Sequence, residues 1–215
     1  MLLKYVICEV APHKQEAFSS QQSSWNDLSQ VSGFLGQAGG WDNTHVKKAH
    51  IISLWENEDH YQSFMENHHD AIYAHSNQAE SISTIAVELF KISVPIHGLS
   101  DELTAFLHKS SFIRVAQSFI KPFKQALFTE KQKHLWNPRM ASTKAMISGV
   151  FGESCRTNRL FITVTGWTSE NEHDSYQLNL LPSLKAQAKT RDDIESIERA
   201  AFLPVDDWTV TPTFL

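Results

Sequence analysis

Histidine is the side chain in this sequence best suited by type and spacing to do chemistry. Four of its 11 His, namely His60, His68, His69 and His75, fall on one short segment. Imidazole changes charge near neutral pH, so it serves as a general acid or base or as a metal ligand. At about 100° per residue, an unbroken helix would place His68 and His75 within the apolar stripe of Tyr61, Phe64, Met65 and Ile72, with His69 at its edge. A histidine on a buried face must find hydrogen-bond partners or carry a task. The plain alternative is a satisfied core histidine. Metal ligation fits the spacing poorly. His68 and His69 diverge by about 100°, and His68 and His75 are two turns apart, roughly 10 Å, too far to share one ion. No metal site and no cofactor are therefore expected. Trp25, Trp41, Trp55 and Phe64 would wall an apolar ligand site around His68 or His75 as the catalytic acid-base group. Large aromatics, however, are most often core. Gly36, Gly39 and Gly40 lack the phosphate-loop pattern and read instead as a bulge or a close backbone approach. There is no nucleophile elbow. Cys8 aligns with Ser118 in the repeat described next, so nothing marks it as a nucleophile.

The elements that must position these residues occur twice. Trp25-Asn26 matches Trp136-Asn137, Gly36 and Gly39 match Gly149 and Gly152, and Ile51 to Trp55 matches Thr163 to Trp167. Each of Trp55 and Trp167 precedes an acidic helix start, Asn57-Glu58-Asp59 and Ser169-Glu170-Asn171. In the first copy, β-branched and apolar runs predict strands at 3–10, 33–41, 48–56 and 82–92. Period-3.6 patterns predict helices at 13–29 and 58–77, the second capped by Asn57. The second copy predicts the same elements near 111–120, 122–137, 144–152, 158–167, 170–187 and 194–211. The order β-α-β-β-α-β is a ferredoxin-like split βαβ unit with both helices on one sheet face. Its other face needs a cover, and a second copy is the obvious one. The expected fold class is α+β: tandem duplicated ferredoxin-like units forming an intrachain α+β barrel. Residues 1–94 make the first unit, 95–110 a connector and 111–215 the second, more diverged unit. At the places of His68 and His69 the second copy has Leu180 and Leu181, so packing alone does not demand histidine there. A site, if present, belongs to the first unit.

Bulk properties narrow the partners. Of 215 residues, 41% are hydrophobic, enough to bury a core. A net charge of −5 argues against nucleic acid, which selects a basic patch. The lysines of Lys121 to Lys133 read as a solvated helix face. Two cysteines are too few for a disulfide framework and suit a reducing compartment. The sequence shows no signal-peptide pattern and no apolar run long enough to span a bilayer, so a cytoplasmic protein without a membrane partner is expected.

The pattern from Val6 to Phe18, the strand Gly33-Phe34-Leu35-Gly36-Gln37, the ending Leu54-Trp55 and the helix residues Tyr61, Phe64 and Met65 resemble the dimeric α+β-barrel superfamily. That superfamily includes the antibiotic-biosynthesis-type monooxygenases. The first unit resembles an uncharacterised bacterial family labelled YdbC-like. The resemblance implies a monooxygenase-like protein, with cofactor-independent oxidation of a small aromatic or quinone-like molecule as its finer reading. A non-catalytic, small-ligand-binding or stress-related barrel is the alternative. In this superfamily two chains usually form one barrel; here one chain supplies both halves, and a further homodimer stays open. Haem-degrading members carry an Asn in the first strand, a Trp on the second helix and a His at its end. Here the first strand has no Asn, the Trp place falls on Phe64 and only His75 matches. Tandem haem-binding members ligate iron from the second half, where this chain has only His134 and His173.

Overall fold

Each unit forms because a β-branched first strand is followed by an amphipathic helix, a hairpin and a second helix. The computed structural model describes residues 1–213. Its chain divides into two compact units: Met1–Leu89 joined by the segment from Phe202 onward, and Phe90–Ala201.

The first unit begins with β1 (Leu2–Val10) and α1 (Gln15–Gln22), which continues as a 3-10 segment, Ser23–Gln30. The hairpin β2 (Phe34–Trp41) and β3 (Lys48–Trp55) follows. Then come α2 (Glu58–Asn67), α3 (His69–Ser76) and β4 (Ile82–His97). The strand order is β2-β3-β1-β4. β3 runs antiparallel to both hydrogen-bonded neighbours, with Trp55 opposite Leu2 on one side and Phe34 on the other. Leu2, Phe34, Trp55, Phe64 and Ile72 share one core cluster, so the tryptophan ending β3 is where the helix layer meets the sheet.

The second unit starts at Phe90 inside β4, whose later residues pair with β6 (Met146–Ser154). A short helix, α4 (Ala105–His108), leads into β5 (Phe112–Ile120). Next are α5 (Gln125–Lys131), a π-helical turn Gln132–Trp136 and α6 (Asn137–Ala141). The unit closes with β7 (Leu160–Trp167), α7 (Glu170–Asn179), α8 (Leu181–Ala188), α9 (Thr190–Asp193) and β8 (Ile194–Phe202). From the Phe90 part of β4 the strand order is β4-β6-β7-β5-β8.

Duplication is visible in detail. Trp55 donates its indole N–H to Ser53 at 3.2 Å, and Trp167 donates to Thr165 at 3.0 Å. Asn57 caps α2 by accepting from His60 N, and Ser169 caps α7 by accepting from Glu172 N. Both second helices are interrupted, at His68 and at Leu180, and both end in a left-handed residue, Asn77 and Lys189. A β-bulge lies between Phe34 and Gly36 and again between Met146 and Ser148. Aligned on these bulges, Gly36 corresponds to Ser148 and Gly40 to Gly152, one residue away from the pairing suggested by the sequence. Gly36 has φ of 142°, a left-handed-side value that favours glycine.

The C-terminal part departs from expectation. The last strand ends at Phe202 rather than continuing to 211. The chain then returns to the first unit and lies along the edge of β2. Gln37 and Val210 exchange two backbone hydrogen bonds, of 2.8 and 3.0 Å, and Val205 N donates to Gly39 O at 2.8 Å. Gly40 is required by this approach, since a Cβ there would stand 2.2 Å from the Leu203 carbonyl oxygen. Trp208 is fully buried, with its ring edge-on to Phe18 at 5.5 Å and Trp41 at 5.4 Å. Removing a buried indole leaves an uncollapsed cavity. Trp208→Ala should therefore lower stability by about 3–5 kcal/mol, read in guanidinium unfolding curves; a loss below about 1 kcal/mol would show that the returning segment is only loosely held.

Candidate functional site

A cavity that could hold a ligand lies in the second unit, with a volume of about 390 Å³ and one side open to solvent past Arg191, Glu195 and Arg199. It opens between the helix-facing side of the sheet and the helix layer. Alternation along β5 sends Arg114, Ala116 and Ser118 to that side. Phe128 of α5 and Trp136 of the π-turn form one wall, and Tyr176 of α7 with Leu181 and Lys185 of α8 form the other. Arg199 enters from β8, the neighbour of β5. The π-turn matters because its extra residue shifts the helix register where Gln132 and Trp136 meet the cavity. Such turns recur at functional sites. Unit one has a 3-10 segment in the corresponding place.

One end of the cavity is α9, which lysines hold in place. Lys121 donates to Arg191 O at 2.7 Å, and Lys131 donates to Ala188 O at 2.7 Å and to the buried Asp193 carboxylate. These two lysines are therefore half-buried anchors, whereas Lys133 stays on the solvated face and pairs with Glu130 at 3.4 Å. Glu195 also lines the cavity but pairs with Arg159 at 3.0 Å.

The electrostatics of the cavity are cationic. Among the described residues no carboxylate pairs with Arg114, Lys185 or Arg199. Burial, together with the charge of Arg199, pulls Arg114 below its ordinary value, although a guanidinium so shifted still carries its charge. Lys185 is pulled down by burial and then by Arg199 and Arg114. Burial pushes Tyr176 up to about 12, so it stays a neutral phenol able to donate a hydrogen bond. Behind the cavity, burial and then Arg114 hold His173 down to about 4, a neutral ring against Phe112 and Trp167.

The residues singled out from sequence lie elsewhere. The interruption at His68, with φ of −129°, restarts the helix and turns the later residues. His68 and His75, expected on the buried stripe, are both exposed. His69 turns inward instead, with its ring 5.7 Å from Trp25 and 5.8 Å from Phe64. Trp25, Trp55 and Phe64 do come together: Trp55 stacks on Phe64 at 4.8 Å, and Trp25 donates to Gln78 at 2.8 Å. Trp41 belongs to a different cluster with Phe18 and Trp208. His134 is exposed beside Glu130. Among the described residues no cluster of three or more His, Cys, Asp or Glu is placed to hold a metal ion, and no helix is long and apolar enough to cross a membrane.

Sequence reasoning missed Arg114 and its counterpart Lys4. The signal was present: each is a lone cation in phase with the apolar, helix-facing positions of a first strand. Lys4 sits 5.9 Å from the Trp25 ring, 5.8 Å from Tyr61 and 6.0 Å from Phe64. At the places of Lys185 and Arg199 the first unit has Tyr73 and Val87.

The fold is that of the antibiotic-biosynthesis-monooxygenase-like α+β proteins. A candidate monooxygenase from Fusobacterium nucleatum superposes with a TM-score of 0.79 at 12% identity, over 98% of this chain and 94% of that one. Another, from Lactobacillus acidophilus NCFM, gives 0.74 at 14% identity, over 98% and 95%. The family described as a domain of unknown function, DUF4937, matches residues 2–90. This chain belongs to the family of YdbC, an uncharacterised protein of Bacillus subtilis strain 168, to which it is 46% identical over 102 residues, 46% of this chain and 86% of the relative.

Lys4 supplies a test of how the first unit uses its cation. Aromatic faces favour the ammonium form, but burial outweighs them and pushes the amine down to about 8. A lysine with a depressed folded-state value costs stability in full below pH 8. That cost fades as pH rises toward its ordinary 10.5. Lys4→Met should be more stable than the parent at pH 7, and its lead should shrink between pH 8 and 10.5 in denaturant titrations. A lead that holds constant across that window would show that burial does not govern the amine.

Proposed function

We propose that this chain is a monooxygenase-like protein that oxidises a small aromatic or quinol-type molecule in the cavity of its second unit, without a cofactor. The observation that carries this reading is the cavity itself: about 390 Å³, within the range that holds small ligands, with Phe128, Trp136 and Tyr176 as flat walls. An electron-rich quinol can react with oxygen once it is ionised and shielded from water. The balance closes without an outside reductant. A quinol and O2 give a hydroxyquinone and one water; one oxygen atom becomes the new ring hydroxyl, the other leaves as water, and all four electrons come from the quinol. Lys185 is the group in this reading that takes the quinol proton, because it lines the cavity with Tyr176 and its amine is pulled below its ordinary value by burial and then by Arg199 and Arg114. Tyr176, held neutral, donates a hydrogen bond to a substrate oxygen. The site thus moves from the first-unit histidines to the second unit, since His68 and His75 face outward.

The test is oxygen uptake with a panel of naphthalene- and benzene-diols, corrected for autoxidation, with 18O2 labelling of the product. Uptake above the blank with one labelled oxygen per product is expected. Lys185→Gln should slow it at least ten-fold while leaving substrate affinity within about two-fold, as loss of a general base does. Saturable binding without uptake or label would make the chain a ligand-binding protein with no turnover.

A further inference from the structure

Two features of the cavity go beyond what an apolar, aromatic ligand needs. Arg114 on β5 and Arg199 on β8 come from neighbouring strands and line the same cavity. Like charges close enough to act on one another repel, and burial and then Arg199 pull Arg114 below its ordinary value. Arg199 is exposed, but Arg114 is half-buried, and a guanidinium taken partly out of water costs more still when no acid answers it. Among the described residues neither has a carboxylate partner, while the one acid of the lining, Glu195, is committed to Arg159. The first unit shows that the fold does not require the pair, since Val87 stands where Arg199 does and Lys4 where Arg114 does. A half-buried arginine and an exposed one lining a ligand-sized space with no acid between them are electrostatically incomplete, and a planar oxyanion completes them. Guanidinium matches a carboxylate or phosphate in a bidentate fork.

We infer that the ligand of the second-unit cavity is an aromatic anion, its ring between Trp136 and Tyr176 and its carboxylate or phosphate held by Arg114 and Arg199. This deepens the reading of that cavity as the substrate site and rests on it for location, but not for turnover. It narrows the substrate from any quinol to one bearing an acidic group beside the ring. Lys185 keeps its place as the acceptor of the quinol proton, distinct from the anion clamp.

The test uses the full chain and calorimetric titration with three redox-inert probes of one shape: 2-naphthoate, 2-naphthyl phosphate and 2-naphthalenemethanol. At least one anion should bind ten-fold or more tightly than the neutral alcohol. Which anion binds better tells a carboxylate-bearing ligand from a phosphate-bearing one. Arg114→Met should bring the anion within two-fold of the alcohol, and Lys4→Met in the other unit should leave the anion's advantage unchanged. Equal binding of all three probes, or an advantage that survives Arg114→Met, overturns the inference. Failure of every probe to bind at millimolar concentration overturns it as well. Because the probes do not react with oxygen, a chain that binds the anion but consumes no oxygen would refute turnover alone. A chain that oxidises neutral quinols as fast as carboxylated ones would refute the anion clamp alone.

Discussion

A cation on the helix-covered face of a sheet has to be answered, and each unit answers it differently. The first strand of each unit carries one, at Lys4 and at Arg114, in phase with neighbours that are otherwise apolar or small. In the first unit aromatic rings close around the amine, and burial pushes it down to about 8. A lysine can be accommodated this way because it is able to lose its proton. Arginine cannot, so the second unit must leave space around Arg114 for water or a ligand. Arg114 shares the lining of that cavity with α9 and with Gln132 and Trp136 of the π-turn.

Duplication followed by divergence is the structural counterpart of this difference. The scaffold features are kept in both units: the tryptophan ending the third strand, the cap of the second helix, its interruption and its left-handed end. The changed features concentrate on the helix-facing side. His69 becomes Leu181, Tyr73 becomes Lys185 and Val87 becomes Arg199. The first unit exchanged space for ring contacts, and the second exchanged ring contacts for space and charge. Residues 2–90, which match the domain family, are the half that carries His69, Tyr73 and Val87 at these positions.

The fold was legible in the sequence because paired tryptophans, caps and bulges are local features repeated at nearly constant offset. The α+β class and the β-α-β-β-α-β order follow from them. The site was legible only in part. Trp25, Trp55 and Phe64 do gather, but as packed core. His68 and His75 were placed by a helical wheel that assumes an unbroken helix, and the interruption at His68 has no proline or glycine to announce it. Arg114 was readable as a charge out of character in an apolar strand. Arg199 was not, because the strand that carries it mixes exposed charged residues, Glu195 and Glu198 among them, with apolar ones, so one more charge there does not stand out. The return of the C-terminal segment was hidden for a related reason: Trp208 and Val210 continue an apolar pattern that reads as more strand, and only the tertiary course separates them at Phe202.

That return has a consequence for how the molecule is made. The ribosome releases the first unit's strands and helices early, but the segment that covers the edge of β2 and fills the space beside Phe18 and Trp41 emerges only after the whole of the second unit. Until then β2 offers unpaired backbone groups at an open edge, the kind of surface that recruits stray strands. The first half therefore matures after the second has been synthesised, and the order of completion runs opposite to the order of synthesis. A chain cut short anywhere before Trp208 would lack the residue that seals a half it had finished translating long before.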